Sequence, residues 1–127
     1  MLKPYYVIVT GGRNYKDARR VGVVLNEVRL MTPSGHELVI VQGDAQGADE
    51  LAKRWAAGMK LPYFCFPAKW AEHGLGAGHI RNKQMLEALP IQLVVAFPGG
   101  AGTNGMIELA CLAGVRVLRD DDLVANE

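Results

Sequence analysis

Four short stretches of the chain combine glycines with side chains that grip anions or hydroxyl groups. In Thr10-Gly11-Gly12-Arg13-Asn14-Tyr15 the paired glycines let the backbone approach a ligand closely, and Arg13 can hold a phosphate through two parallel N–H groups. In Gln42-Gly43-Asp44-Ala45-Gln46-Gly47-Ala48-Asp49, Asp44 can accept from ribose hydroxyls or a base amine. Asp49 falls in the first turn of a helix, where the dipole favours a carboxylate with or without a ligand. In Gly74-Leu75-Gly76-Ala77-Gly78-His79-Ile80-Arg81-Asn82, Arg81 and Asn82 sit at a helix start within reach of a phosphate or base. The dipole disfavours an arginine there, so a compensating partner is expected. The fourth, Phe97-Pro98-Gly99-Gly100-Ala101-Gly102-Thr103, is the most specific. Gly99, Gly100 and Gly102 clear side chains from a helix N-terminus whose free amides suit a phosphate, and Thr103 can cap that helix or donate to a phosphate oxygen.

These stretches need a scaffold that brings them to one place, and the hydrophobic pattern supplies it. Apolar runs at 5–10, 37–42, 63–66, 92–97 and 115–118 read as strands, each of the first four ending at glycine or proline. Helical spacing fills the gaps. Val21, Val24, Leu25, Val28 and Met31 share one face, as do Ala48, Leu51, Ala52, Trp55 and Met59, with Trp55 expected in the core. Two more helices are expected over His79–Leu89 and Thr103–Ala113, the second closed by Gly114. Pro67–Gly78 reads as a long irregular loop, a lid in which Trp70 either stacks on a base or plugs the core. Asp120–Glu127 reads as an acidic, solvated tail.

Strand–helix alternation with nearly continuous apolar strands predicts an α/β fold: a Rossmann-like three-layer α/β/α sandwich on a five-stranded parallel sheet of order 3-2-1-4-5. The order 2-1-3-4-5 is the alternative. In the first order the chain reverses direction between strands one and four, and ligands of open α/β sheets bind beyond the carboxyl ends of the strands at such a point. With no repeat, linker or low-complexity segment, residues 1–127 read as one domain.

Composition narrows the function classes. A net charge of +1 lacks the basic excess of a dedicated nucleic-acid binder, which argues against that partner. No apolar run approaches the roughly 20 residues of a membrane span, and no signal peptide opens the chain; a cytoplasmic protein with no membrane partner is expected. Cys65 and Cys111 stand in apolar stretches outside any metal-ligand spacing and read as reduced, buried thiols. His73 and His79, six apart, do not form a metal pair. Gly11-Gly12-Arg13 does not complete GxGxxG, and neither GxSxG nor GxxxxGK[ST] occurs, so no cofactor and no metal is expected.

Taken in order, Thr10-Gly11-Gly12-Arg13, Gly43-Asp44-Ala45-Gln46-Gly47-Ala48-Asp49, Trp70, Ala77-Gly78-His79-Ile80-Arg81-Asn82-Lys83-Gln84-Met85 and the Pro98–Thr103 run resemble the YspA-like, YpsA-related branch of the SLOG superfamily. That superfamily includes the DprA/Smf proteins and the LOG ("lonely guy") cytokinin-activating enzymes. The resemblance implies a Rossmann-like fold and a site for nucleotides or their derivatives. In the LOG enzymes a PGGxGTxxE motif and an upstream helical arginine serve hydrolysis of a nucleotide N-glycosidic bond. Pro98–Thr103 matches the first part and Arg81 resembles the arginine, but Met106 stands in the glutamate's place. Glu108 lies about 200° further round the helix.

The reading that follows is a nucleotide-binding sensor or ligand-binding module, its phosphate on the loop after strand four. The alternative is a nucleotide N-glycosidase in which Asp44 and Arg81 are catalytic. A third reading is a DNA-processing accessory protein. A homo-oligomer is compatible with the sequence.

Overall fold

The first strand, β1 (Lys3–Thr10), passes at Thr10 from four fully enclosed residues into the glycine loop. Asp17 then caps α1 (Ala18–Met31), its carboxylate accepting from the Arg20 amide at 2.9 Å. β2 (His36–Gln42), α2 (Ala48–Gly58), β3 (Tyr63–Cys65), α3 (Trp70–His73), α4 (Ala77–Ala88), β4 (Ile91–Ala96), α5 (Ala101–Leu112), β5 (Arg116–Arg119) and α6 (Asp120–Val124) follow. The structure is a computed structural model and describes residues 1–124.

The five strands form one parallel sheet in the order β3-β2-β1-β4-β5. Residues alternate in direction along each strand, so the two faces bury different sets. Val7 and Val9 of β1, with Leu38, Ile40, Leu93 and Val95, pack under α1 and α2. Ile8, Val41 and Val94 pack on the other face with Met85 of α4 and Met106 and Ala110 of α5. Strands covered on both faces explain the uninterrupted apolar runs. They also fix the loops after β1, β2 and β4 at one edge, on either side of the chain reversal.

The structure corrects several local expectations. The stretch from Pro67 to Gly78 is not irregular. Glu72 and His73 donate to the Lys69 carbonyl to form α3, and Gly74, with φ +60°, breaks it into a 3-10 turn over Gly74–Gly76. Helices α4 and α5 each start two residues early, at Ala77 and Ala101, directly after a glycine that supplies no side-chain cap. Trp55 is half-buried, its indole N–H donating to the Asn26 side chain at 3.3 Å, and Met59 is exposed. Cys65 is partly buried. Cys111 is exposed, because it lies a third of a turn off the line of Thr103, Met106 and Ala110 that faces the sheet; both thiols are free. Asp120–Val124 is a helix rather than a loose tail, and the Asp120 carbonyl accepts from Arg20 at 2.8 Å. The remainder of the expected tail, 125–127, lies outside the described residues.

Candidate functional site

The loops after β1 and β4 meet face to face. The Gly12 amide donates to the Pro98 carbonyl at 2.8 Å, and the Gly12 carbonyl accepts from Ala48 at 3.2 Å and Tyr15 at 3.2 Å. Gly12 therefore joins the three loops to each other, and its own N–H is spent on the protein. The close approach needs glycine on each side. A Cβ on Gly99 would strike Thr103 and the Gly12 nitrogen, and one on Gly47, with φ +82°, would strike the Gly12 carbonyl oxygen.

Beside this junction lies a cavity of about 470 Å³, within the usual size of a small-molecule site. Its floor is Val9 and Met85. Its walls are Gly11, Gly12, Arg13, Asp49, Arg81, Asn82, Gly100, Gly102 and Thr103, and Trp70, Leu75 and His79 stand at its mouth. One end is the start of α5. No side chain caps that helix, and its first internal bond runs from Asn104 to the Gly100 carbonyl at 3.0 Å. The amides of Ala101, Gly102 and Thr103 have no acceptor among the described residues, as helix geometry requires for the first turn. Gly100 and Gly102 have open space where a Cβ would stand.

Arg81 crosses from α4 toward the loop after β2. Its Nη1 donates to the Gly43 carbonyl at 2.6 Å, and its Nε to the Asn82 side chain at 2.9 Å. Burial pulls its pKa down, Asp49 opposes that, and Arg13 adds to it. Asn82, itself buried, passes the link to α5 by donating to the Gly102 carbonyl at 3.2 Å. Arg81 thus has its compensating partners: a carbonyl and a neighbouring carboxylate offset the unfavourable helix start.

Asp49 holds the loop after β2. Its Oδ2 accepts from the amides of Gly43 at 3.1 Å and Ala45 at 3.3 Å. Burial raises its pKa to about 6; Arg81 and the two amides act the other way. The intervening Asp44 amide goes to the side chain of fully buried Gln42 at 2.5 Å, and Gln42 in turn donates to Cys65 at 2.7 Å. Asp44 itself stands in the left-handed region, with φ +56°, and its side chain is exposed near Lys53 at 3.5 Å. That carboxylate pushes the Lys53 pKa up.

Asp44 and Gly43 line a second, smaller depression of about 350 Å³ rather than the main cavity. Arg13, Ala45, Trp70 and Arg81 form the partition common to both. On that partition the Arg13 guanidinium sits 5.2 Å from the Trp70 ring centroid, and Trp70 is 46% exposed, so it does not plug the core. Asn14 is exposed and Gly99 is packed behind Thr103; neither lines either space. Ala45, Leu75, Gly78, His79 and Gly105 also line the main cavity, although their residue types alone do not mark them as ligand-binding. Met106 is fully buried under the sheet, and Glu108 is exposed. Among the described residues no cluster of three His, Cys, Asp or Glu side chains is placed to hold a metal.

A parallel sheet of order 3-2-1-4-5 with glycine loops joined at its chain reversal is the architecture of a Rossmann-like α/β protein. The chain belongs to the YspA, cpYpsA-related SLOG family, whose sequence model matches residues 5–73. It is 37% identical over 123 residues to the Gene 61 protein of Mycobacterium phage D29, covering 91% of this chain and 96% of that one. The family match takes in the loops after β1 and β2; similarity to the phage protein extends over most of the chain. No solved structure matches. Among the described residues no helix is long and apolar enough to cross a membrane.

Proposed function

We propose that this protein is a cytoplasmic sensor or binding module for a nucleotide or nucleotide-derived small molecule. The phosphate lies against the amides of Ala101, Gly102 and Thr103, with Arg81 as the cation beside it. The observation that carries this reading is the convergence of an uncapped helix N-terminus and a partly buried arginine in one cavity. Each attracts an anion, and together they do so in a partly desolvated space where charge interactions are strong. Gly11 and Gly12 line the cavity along the first loop, and Trp70 offers a ring face to a base.

Binding is favoured over cleavage by what stands at position 106. N-glycosidic hydrolysis passes through an oxocarbenium-like state that a carboxylate stabilises. Met106 offers none and lies in the core, and Asp49, the carboxylate lining the main cavity, already accepts two backbone N–H groups. Thermal unfolding against nucleoside mono- and diphosphates tests the proposal. A ligand at one hundred times its Kd stabilises by about 2.7 kcal/mol, and Arg81→Ala abolishes the shift. No shift from any phosphorylated nucleoside at millimolar concentration overturns it.

A further inference from the structure

Asp49 is only 6% exposed, yet the protein engages one of its two carboxylate oxygens and leaves the other. Oδ2 accepts from the amides of Gly43 and Ala45, whereas Oδ1 accepts no hydrogen bond among the described residues. No enclosed polar side-chain atom among those residues lacks a partner, so Oδ1 opens onto free space, and the space that Asp49 lines is the main cavity. Among the described residues no other carboxylate lines it. The charged groups around Asp49 come from every side. Arg81 of α4 does most to keep it ionised, and Asp44 of the β2 loop opposes that, as does burial, which outweighs the rest. Arg13 faces the same cavity from the β1 loop, and His79 from its mouth. On α2 itself Lys53 turns to Asp44 and Glu50 to Arg54.

We propose that the anionic ligand binds together with a proton, which goes onto Asp49 Oδ1, so that the new O–H donates to a phosphate oxygen. The inference rests on the nucleotide reading above. A phosphate beside Arg81 brings negative charge next to a desolvated carboxylate and shares the cation that kept that carboxylate ionised. Both effects favour the protonated acid. The proton comes from solvent, and no other bond forms or breaks. Oδ2 keeps its two backbone amides throughout, so the loop after β2 holds its shape while Oδ1 turns from an unused acceptor into a donor. Affinity therefore falls as pH rises through the interval in which the free protein has released the proton and the complex has kept it. That interval begins at about pH 6, where the carboxyl of the free protein titrates.

Isothermal titration with the phosphate methyl esters of AMP, GMP and UMP tests it, because the charge of these probes is constant over the range used. Affinity is expected to be at least about tenfold higher at about pH 5.5 than at about pH 7.5. At about pH 7, heats measured in two buffers of different ionisation enthalpy are expected to show uptake of about half a proton or more. Both measurements are made on the parent chain and do not depend on how any variant folds. Asp49→Asn, whose amide stands in for the protonated acid, is expected to abolish the uptake, flatten the pH profile and bind more tightly than the parent at about pH 7.5. His79→Gln removes the other titratable neutral-or-cationic group of the cavity mouth and is expected to leave the uptake in place. Binding without proton uptake, or uptake that persists in Asp49→Asn or vanishes in His79→Gln, overturns the inference and leaves the nucleotide reading intact. Binding by none of the three esters at either pH overturns both.

Discussion

The Arg81 guanidinium lies directly across the Cα of Gly43, with Nη1 on the Gly43 carbonyl at 2.6 Å. A Cβ at position 43 would overlap Nη1 and Cζ, so the arginine's position depends on a glycine 38 residues away. Gly43→Ala therefore moves Arg81 without deleting it. We expect at least a tenfold loss of affinity for a phosphorylated nucleoside, since one hydrogen bond to a charged group is worth about 1.5–3 kcal/mol. We also expect a loss of stability of about 1–3 kcal/mol. Titration of the variant beside Arg81→Ala checks this; equal affinity in Gly43→Ala and the parent rules out a ligand-holding role for the crossing.

The three glycines after β4 do different jobs. Gly99 is packed against Thr103 and Gly12, whereas Gly102 is open at its Cβ and already helical. Gly99→Ala is expected to destabilise by roughly 1–3 kcal/mol, because its Cβ would overpack against the Thr103 side chain and the Gly12 backbone nitrogen. Gly102→Ala is expected to stabilise by roughly 0.5–1 kcal/mol, the helical advantage of alanine. Its new methyl enters the cavity, so ligand affinity falls while stability rises. Urea unfolding with titration on both variants measures the split; a Gly102→Ala protein that binds as tightly as the parent argues that no ligand lies over the first turn of α5.

The sequence carried the sheet order and the meeting of the glycine loops because both follow from strand alternation and crossover handedness, which leave few topologies. It did not carry the division of labour among the loop residues. Asp44, on the loop after β2, and Asp49, in the first turn of α2, are five apart, yet one faces outward and the other is buried as an acceptor for backbone amides. That difference depends on Gln42, whose strand position marks it only as apolar-flanked. Trp55 carried helical spacing that suited a core residue, but its indole nitrogen needs a partner and finds Asn26 at the rim. The short α3 helix was hidden because four residues are too few to show a period.

Asp49 gives the fold a pH dependence of defined sign. Its carboxyl titrates near 6 in the folded state and near 3.8 otherwise, so the folded state binds the proton more tightly. Between these values stability falls as pH rises, because the folded state must give up a proton it prefers to keep. The stability contribution is full below about pH 4 and gone above about pH 6. The two-unit difference corresponds to about 3 kcal/mol. Asp49→Asn keeps an acceptor for the amides of Gly43 and Ala45 and does not titrate. The stability of the variant minus that of the parent should therefore rise by about that amount between about pH 4 and about pH 6, read by urea unfolding at each pH. A flat difference shows that Asp49 titrates as an ordinary carboxylate.

Gly47 and Gly35 separate contact from conformation. Both have φ near +80°, a region that costs an L-residue about 1–2 kcal/mol. At Gly35 nothing lies within 4 Å of where a Cβ would stand, whereas a Cβ at Gly47 would meet the carbonyls of Gly12 and Arg13. Gly35→Ala should lose only the conformational part. Gly47→Ala should lose that and also push α2 away from the β1 loop, breaking the Ala48 bond to Gly12 and opening the wall of the main cavity. We expect the second variant to be less stable than the first by at least about 1 kcal/mol and to lose ligand-induced stabilisation, which the first retains. Melting temperatures with and without a phosphorylated nucleoside give both comparisons. Equal melting temperatures for the two variants would mean that the loop junction yields freely, and that Gly12 does not hold the three loops in register.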